Sequence, residues 1–226
     1  MAEPVVVDAS TTPSDSVAGT PVVVDMPATR PDDDFYLMEF TRDDDNFTIS
    51  LASWTQIDQS LVGTDTMALF WRIGDTEPST YDVTISGDTA AEKAQNVVVR
   101  ISGINTADPI GAVGTKNTGS SQTATAPAIT AEAADSLILR IYACSSTYFD
   151  TFSAGTEVAR ITSETGGWPA YLITRESSPG ASTTTGTETA HLFSSGQSWY
   201  AITIEILAAA GGATEEHFLT LLGAGT

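Results

Sequence analysis

The chain is expected to fold as an all-β protein, an antiparallel β-sandwich of jelly-roll-like type with N- and C-terminal extensions. Three observations lead there. Apolar and polar residues alternate at period two along most of the chain. Turn-forming stretches such as SGDT, ETGGWP and SSPGASTTTGTE separate those runs. No long segment carries the 3.6-residue period of a helix.

Taken in order, the pentapeptide PVVVD occurs at residues 4–8 and again at 21–25, with the turn-rich ASTTPSDSVAGT between them. The second copy opens the sandwich. The first, with Val5, Val6 and Val7, is a spare strand that either closes a hairpin in its own subunit or adds to a neighbour's sheet edge. Residues 35–41 and 47–51 are short strand candidates. Stronger ones follow: Met67, Leu69, Trp71 and Ile73 share one face, and Tyr81, Val83 and Ile85 another. Residues 89–95 fit one helical turn, before Val97, Val99 and Ile101 resume the alternation. Residues 126–131, 158–163, 170–175 and 190–193 read as weaker strands. Leu137, Leu139 and Ile141, then Ile202, Ile204 and Ile206, mark two strong ones. After a linker, AAAGGA, the segment TEEHFLTLL has Thr214 as a cap and Phe218, Leu219, Leu221 and Leu222 as an apolar face that needs a docking surface. The resulting division is an arm over 1–19, a sandwich over 20–208, and a linker and docking tail over 209–226.

Composition narrows the partners. The 226 residues hold 29 acidic against 9 basic side chains, a net charge of −20, and only Lys93 and Lys116 are lysines. A field of that sign repels phosphate and anionic lipid, so neither nucleic acid nor a membrane surface is an expected partner. Dense carboxylate with little lysine suits a protein of a high-salt environment; an ordinary acidic secreted or marine protein is the alternative. The single cysteine, Cys144, excludes an intrachain disulfide and reads as a small buried hydrophobe. The first residues show neither a basic n-region nor an apolar h-region, so no secretory signal is expected.

The segments SWTQID, WRIGDTEPSTYDVTIS, ISGINTADPI and ITAEAADSLIL, in this order, resemble a β-sandwich module of tailed-virus virion surface proteins that also occurs in uncharacterised bacterial and prophage proteins. The resemblance spans roughly residues 20–208. It implies a jelly-roll-like sandwich and a place on the virion, and the module brings no catalytic motif. The chain departs from it at the first Asp triplet, in the YFDTF loop and in both extensions.

The chemistry-bearing residues are few. A Ser-His-acid triad would have to use His191, and no GxSxG elbow precedes it; two histidines and one cysteine at unrelated spacings give no zinc set. No catalytic residue and no bound cofactor are expected, and the chain is read as a non-enzyme. Asp43, Asp45 and Asn46 supply hard oxygen ligands and are the candidate calcium site, although the loop lacks the EF-hand glycine and glutamate. As a strand, residues 35–41 would span roughly 23 Å, which puts the two Asp triplets at opposite ends. Tyr148, Phe149, Phe152 and Trp168 lie in or beside loops, where they either contact a partner subunit, stack on a sugar, or plug the sandwich. The expected role is a structural component of a capsid surface, of decoration, cement or turret type, in a tailed virus of a halophilic host. Its partners would be copies of itself, as a trimer or pentamer, and a major capsid or other virion protein. A carbohydrate-binding module of a tail fibre or cell-surface protein is the alternative, with host glycan as its ligand.

Overall fold

In the computed structural model, which describes residues 2–12, 14–16, 20–43, 47–87, 91–145, 147–160 and 169–209, the regular elements are all β-strands. The protein is an all-β, sandwich-like fold. The first nine strands are β1 (Val5–Thr11), β2 (Ser14–Ser16), β3 (Val22–Asp25), β4 (Phe35–Arg42), β5 (Thr48–Ser50), β6 (Thr55–Val62), β7 (Asp65–Ile73), β8 (Thr80–Ser86) and β9 (Glu92–Ser102). The next nine are β10 (Ile110–Val113), β11 (Asn117–Ser120), β12 (Thr123–Ala126), β13 (Leu137–Cys144), β14 (Phe149–Phe152), β15 (Thr156–Arg160), β16 (Ala170–Ser177), β17 (Glu188–Leu192) and β18 (Ser198–Ile206).

These strands form two large and two small sheets. One large sheet runs β1-β9-β4-β7-β6 with β2 also on β9, and the other runs β10-β18-β13-β16-β15 with β11 on β18. The small sheets are β3-β8-β5 and β12-β17-β14. Adding nine to every label of the first half gives the second half. The registers agree as well. Phe35–Arg42 pairs with Ile101–Ala94 and with Ile73–Thr66, while Leu137–Cys144 pairs with Ile206–Trp199 and with Ser177–Ala170. The described residues therefore form two nine-strand units of one topology.

Three apolar clusters stack these sheets as four layers. Phe35, Leu37, Leu69 and Val99 of the first large sheet meet Leu139, Ile141, Ile173 and Ile204 of the second. On its outer side, the first large sheet packs Tyr36, Met38 and Phe40 against Val24, Ile49 and Val83. The second does the same with Tyr142 and Leu172 against Ala124, Phe149 and Leu192. Covered on both faces, β4 and β13 are buried at every residue, and so they read as apolar runs rather than alternating ones.

The edges repeat too. β1 carries one extra residue between Val6 and Ala9, and β10 carries one between Ile110 and Val113, opposite equivalent residues of β9 and β18. β6 bulges at Ile57 and β15 at Val158. Val6, Ile110, Ile57 and Val158 all turn toward the central core. The sheets lie with β1 beside β15 at one seam. At the other seam, Lys116 after β10 reaches Asp58 of β6 at 3.0 Å.

Several expectations change. Of the two alternatives for the first PVVVD copy, the strand takes an edge of its own subunit: β1 pairs with β9 of the same chain. The two copies are not structural equivalents, since β1 edges a large sheet and β3 edges a small one. The helical turn proposed for 89–95 falls partly outside the described residues. Its remainder is β9, because Lys93 and Gln95 find ladder partners in Asp15 and Thr41 while Ala94 turns into the core. The strand expected over 126–131 ends at Ala126, where β12 reaches Pro127.

Candidate functional site

Turns and ladders fix most polar groups to structural duties. Of the first Asp triplet, Asp34 accepts from Arg100 Nε at 2.6 Å and Asp32 accepts from the Thr76 N–H at 2.8 Å. Arg100 thereby ties the loop before β4 to β9. Glu205 holds the equivalent position of β18 and does the same work with opposite polarity. Its carboxylate accepts from the N–H groups of Ala112, Glu132 and Ala133 at 3.1, 2.8 and 3.1 Å, and from Ser136 Oγ at 2.5 Å. A β-carbon at Gly111 would stand 2.6 Å from that carboxylate, so a larger residue there would have to push Glu205 off its N–H partners.

The second triplet is described only as far as Asp43; Asp45 and Asn46 lie outside the described residues. The structure adds Asp65, at 1% exposure, whose carboxyl is pushed up to about 8 by burial and then by the charge of Asp43. Among the described residues no three His, Cys, Asp or Glu side chains gather as a metal site.

The predicted aromatic set divides. Phe149 is fully buried, tilted against Tyr142 at 5.8 Å, and is core rather than a contact residue. Its burial follows from its place on β14, opposite Leu192. Phe152 is half-buried against the same cluster, and Trp168 lies outside the described residues. Tyr148 stacks on Phe193 with ring centroids 4.8 Å apart and planes 15° apart, and Phe193 is 58% exposed. The sequence reading missed Phe193 because it ended a weak strand with an apolar residue, as a core position would. Beside this pair, His191 Nδ1 meets Asp150 Oδ1 at 2.7 Å. Burial raises the Asp150 pKa, but the His191 hydrogen bond and charge outweigh it and hold it below the usual carboxylate range. Among the described residues, no hydroxyl hydrogen-bonds this imidazole.

A groove of about 280 Å³ opens at the β1/β15 seam, lined by Glu3, Pro4, Val5, Leu137, Arg175 and neighbours. A second, of about 230 Å³, continues it past Val7 and Val158, again over Arg175. Arg72, Arg100, Lys116, Arg140 and Arg160 are all ion-paired, Arg30 binds carbonyl oxygens, and Arg42 and Lys93 are engaged as well. Among the described residues Arg175 is the one cation without a partner. Val5, Val6 and Val7 divide across the same strand: Val5 and Val7 are exposed while Val6 packs on the core. Phe218, Leu219, Leu221 and Leu222 lie outside the described residues.

Comparisons with known family models, curated proteins and solved structures returned no match.

Proposed function

We propose that this is a non-enzymatic, self-associating component of a virus capsid surface, of decoration, cement or turret type, from a tailed virus of a high-salt host. The carrying observation is where the exposed large hydrophobics sit. Of the six among the described residues, Val5 and Val7 are on β1, Leu61 on β6 and Val113 on β10, all edge strands of the large sheets, while Val23 is on β3 of a small sheet and Phe193 follows β17. Apolar side chains at open edges suit contact with a neighbouring subunit. The bulges in those edges break the ladder, which favours closed rings over endless strand addition. The net charge of −20 supports the high-salt part of the same reading.

Solution mass tests it directly. The full chain is expected to form a trimer or pentamer, and Leu61→Asp with Val113→Asp to lower the mass to a monomer without unfolding it. A full chain that is monomeric at every concentration would sink the proposal.

The Tyr148–Phe193 stack favours a second reading, a glycan-binding surface, because an exposed ring beside His191 and Asp150 pairs an apolar platform with polar groups. Binding of the full chain to host-envelope glycans, lost in Phe193→Ala, would carry that reading; no binding by the parent chain would remove it.

A further inference from the structure

Resting on the glycan reading above, we infer that the outer face of the sheet β12-β17-β14 binds one uncharged sugar ring, stacked on Phe193 and hydrogen-bonded by His191. The duplication supplies the comparison. β8 pairs Val83 with Val22 and Ile85 with Ile49, while β17 pairs Ala190 with Ala124 and Leu192 with Phe149, all of them core residues. These pairs align the two small sheets residue by residue. On the outer faces, Thr84, Ser86 and Thr48 of the first unit therefore correspond to His191, Phe193 and Tyr148 of the second. Ser50, opposite Thr84, corresponds to Thr151, opposite His191. Asp150 has no counterpart, because it is the extra residue of a bulge that β14 has and β5 lacks.

In the first unit these positions are exposed hydroxyls, so the topology needs no ring, imidazole or bulge there. Bulges re-aim side chains beside functional sites, and this one brings Asp150 Oδ1 to His191 Nδ1 at 2.7 Å.

What the second unit adds is matched to a sugar. Phe193 has one face held by Tyr148 at 4.8 Å and is still 58% exposed. One ring offers about 200 Å² of apolar surface, far below the roughly 800 Å² per partner of a stable protein interface. It is enough to cover the C–H face of a single sugar ring. Polar groups lie beside it: His191 is two residues before Phe193 and is flanked across the ladder by Thr123 and Thr151. Asp150 accepts from Nδ1 of the neutral imidazole, which leaves Nε2 to accept from a sugar hydroxyl. The His191 side chain is 42% exposed and makes no other hydrogen bond among the described residues. Charge selects against acidic sugars. Asp150 and the net charge of −20 repel a carboxylate. The nearby guanidinium, Arg160, donates to the Asp150 carbonyl at 2.8 Å and pairs with Glu157 at 3.0 Å.

Affinity electrophoresis of the full chain, in gels holding a glucan, a mannan, a galactan or a polyuronate, tests this. At least one neutral polysaccharide is expected to retard the chain, and the polyuronate is not. Phe193→Ser and His191→Thr install the first unit's residues. Each is expected to weaken the binding about tenfold or more with circular dichroism unchanged, while Phe193→Tyr retains it. Binding that survives either of the first two substitutions overturns the assignment. Retardation by the polyuronate alone, lost in Phe193→Ser, overturns the uncharged class and leaves the glycan reading standing. Retardation by none of the four removes both. A lower solution mass in Phe193→Ser makes the ring a subunit contact and also overturns the inference.

Discussion

Glu39 and Glu205 are both without exposed surface, yet their carboxyls move in opposite directions. Burial pushes Glu39 up to about 8, with only the Thr41 hydroxyl opposing it. Burial also raises Glu205, but Ser136 and three backbone N–H groups outweigh it and hold it below its ordinary value. The linkage signs follow. The stability that Glu205 contributes is present above the unfolded pKa and is lost as pH falls through the depressed one. Glu39 stays protonated in the fold while the unfolded chain ionises, so its burial costs stability progressively from about pH 4.5 to about pH 8. Glu39→Gln is therefore expected to add roughly 1–3 kcal/mol at pH 7 and to flatten the loss between pH 5 and 8. Asp65, raised for a similar reason, keeps part of that slope. Urea unfolding at several pH values checks it; a variant as pH-sensitive as the parent would contradict the assignment. The sequence showed 29 acidic residues but not which were buried, because burial is decided by strands far apart in the chain.

At the scale of elements, alternation located β8, β9, β13 and β18 whether one face or both were covered, and it lost a strand that a bulge puts out of phase. β8 alternates cleanly, since only Val83 and Ile85 of its centre are covered. β4 and β13 are sandwiched between two layers and lose the alternation that a single sandwich would leave. β6 was overlooked because the bulge at Ile57 shifts the phase of TQIDQSLV midway, so no single period fits it. β15, expected at 158–163, spans Thr156–Arg160 with a bulge at Val158, and residues 161–163 lie outside the described residues. The candidate contact residues divided for a related reason. FDTF is strand β14 and not a loop, with Tyr148 just before it: Phe149 lies in the core, and the exposed partner of Tyr148 is Phe193, just after β17.

For the whole molecule, the duplication was hidden in the sequence because equivalent strands share character and few identities. FYLMEFTR corresponds to LILRIYAC, and the locking residues changed from Arg100 to Glu205. The visible repeat, PVVVD, pointed instead to two strands that are not equivalent. Topology has an energetic consequence. Each unit has its own outer cluster, but the central cluster is shared, so either unit alone would present Phe35, Leu37, Met67, Leu69 and Val99, or their counterparts, to water. Burial of that face is worth far more than a marginally stable unit could forgo. Residues 2–103 and 104–209, produced separately, are accordingly expected to aggregate or to pair with themselves. Produced together, they are expected to recombine as a one-to-one complex with the β-sheet circular dichroism of the full chain. A soluble, cooperatively unfolding monomer of residues 2–103 would show that the shared core is dispensable, and that each unit is a domain in its own right.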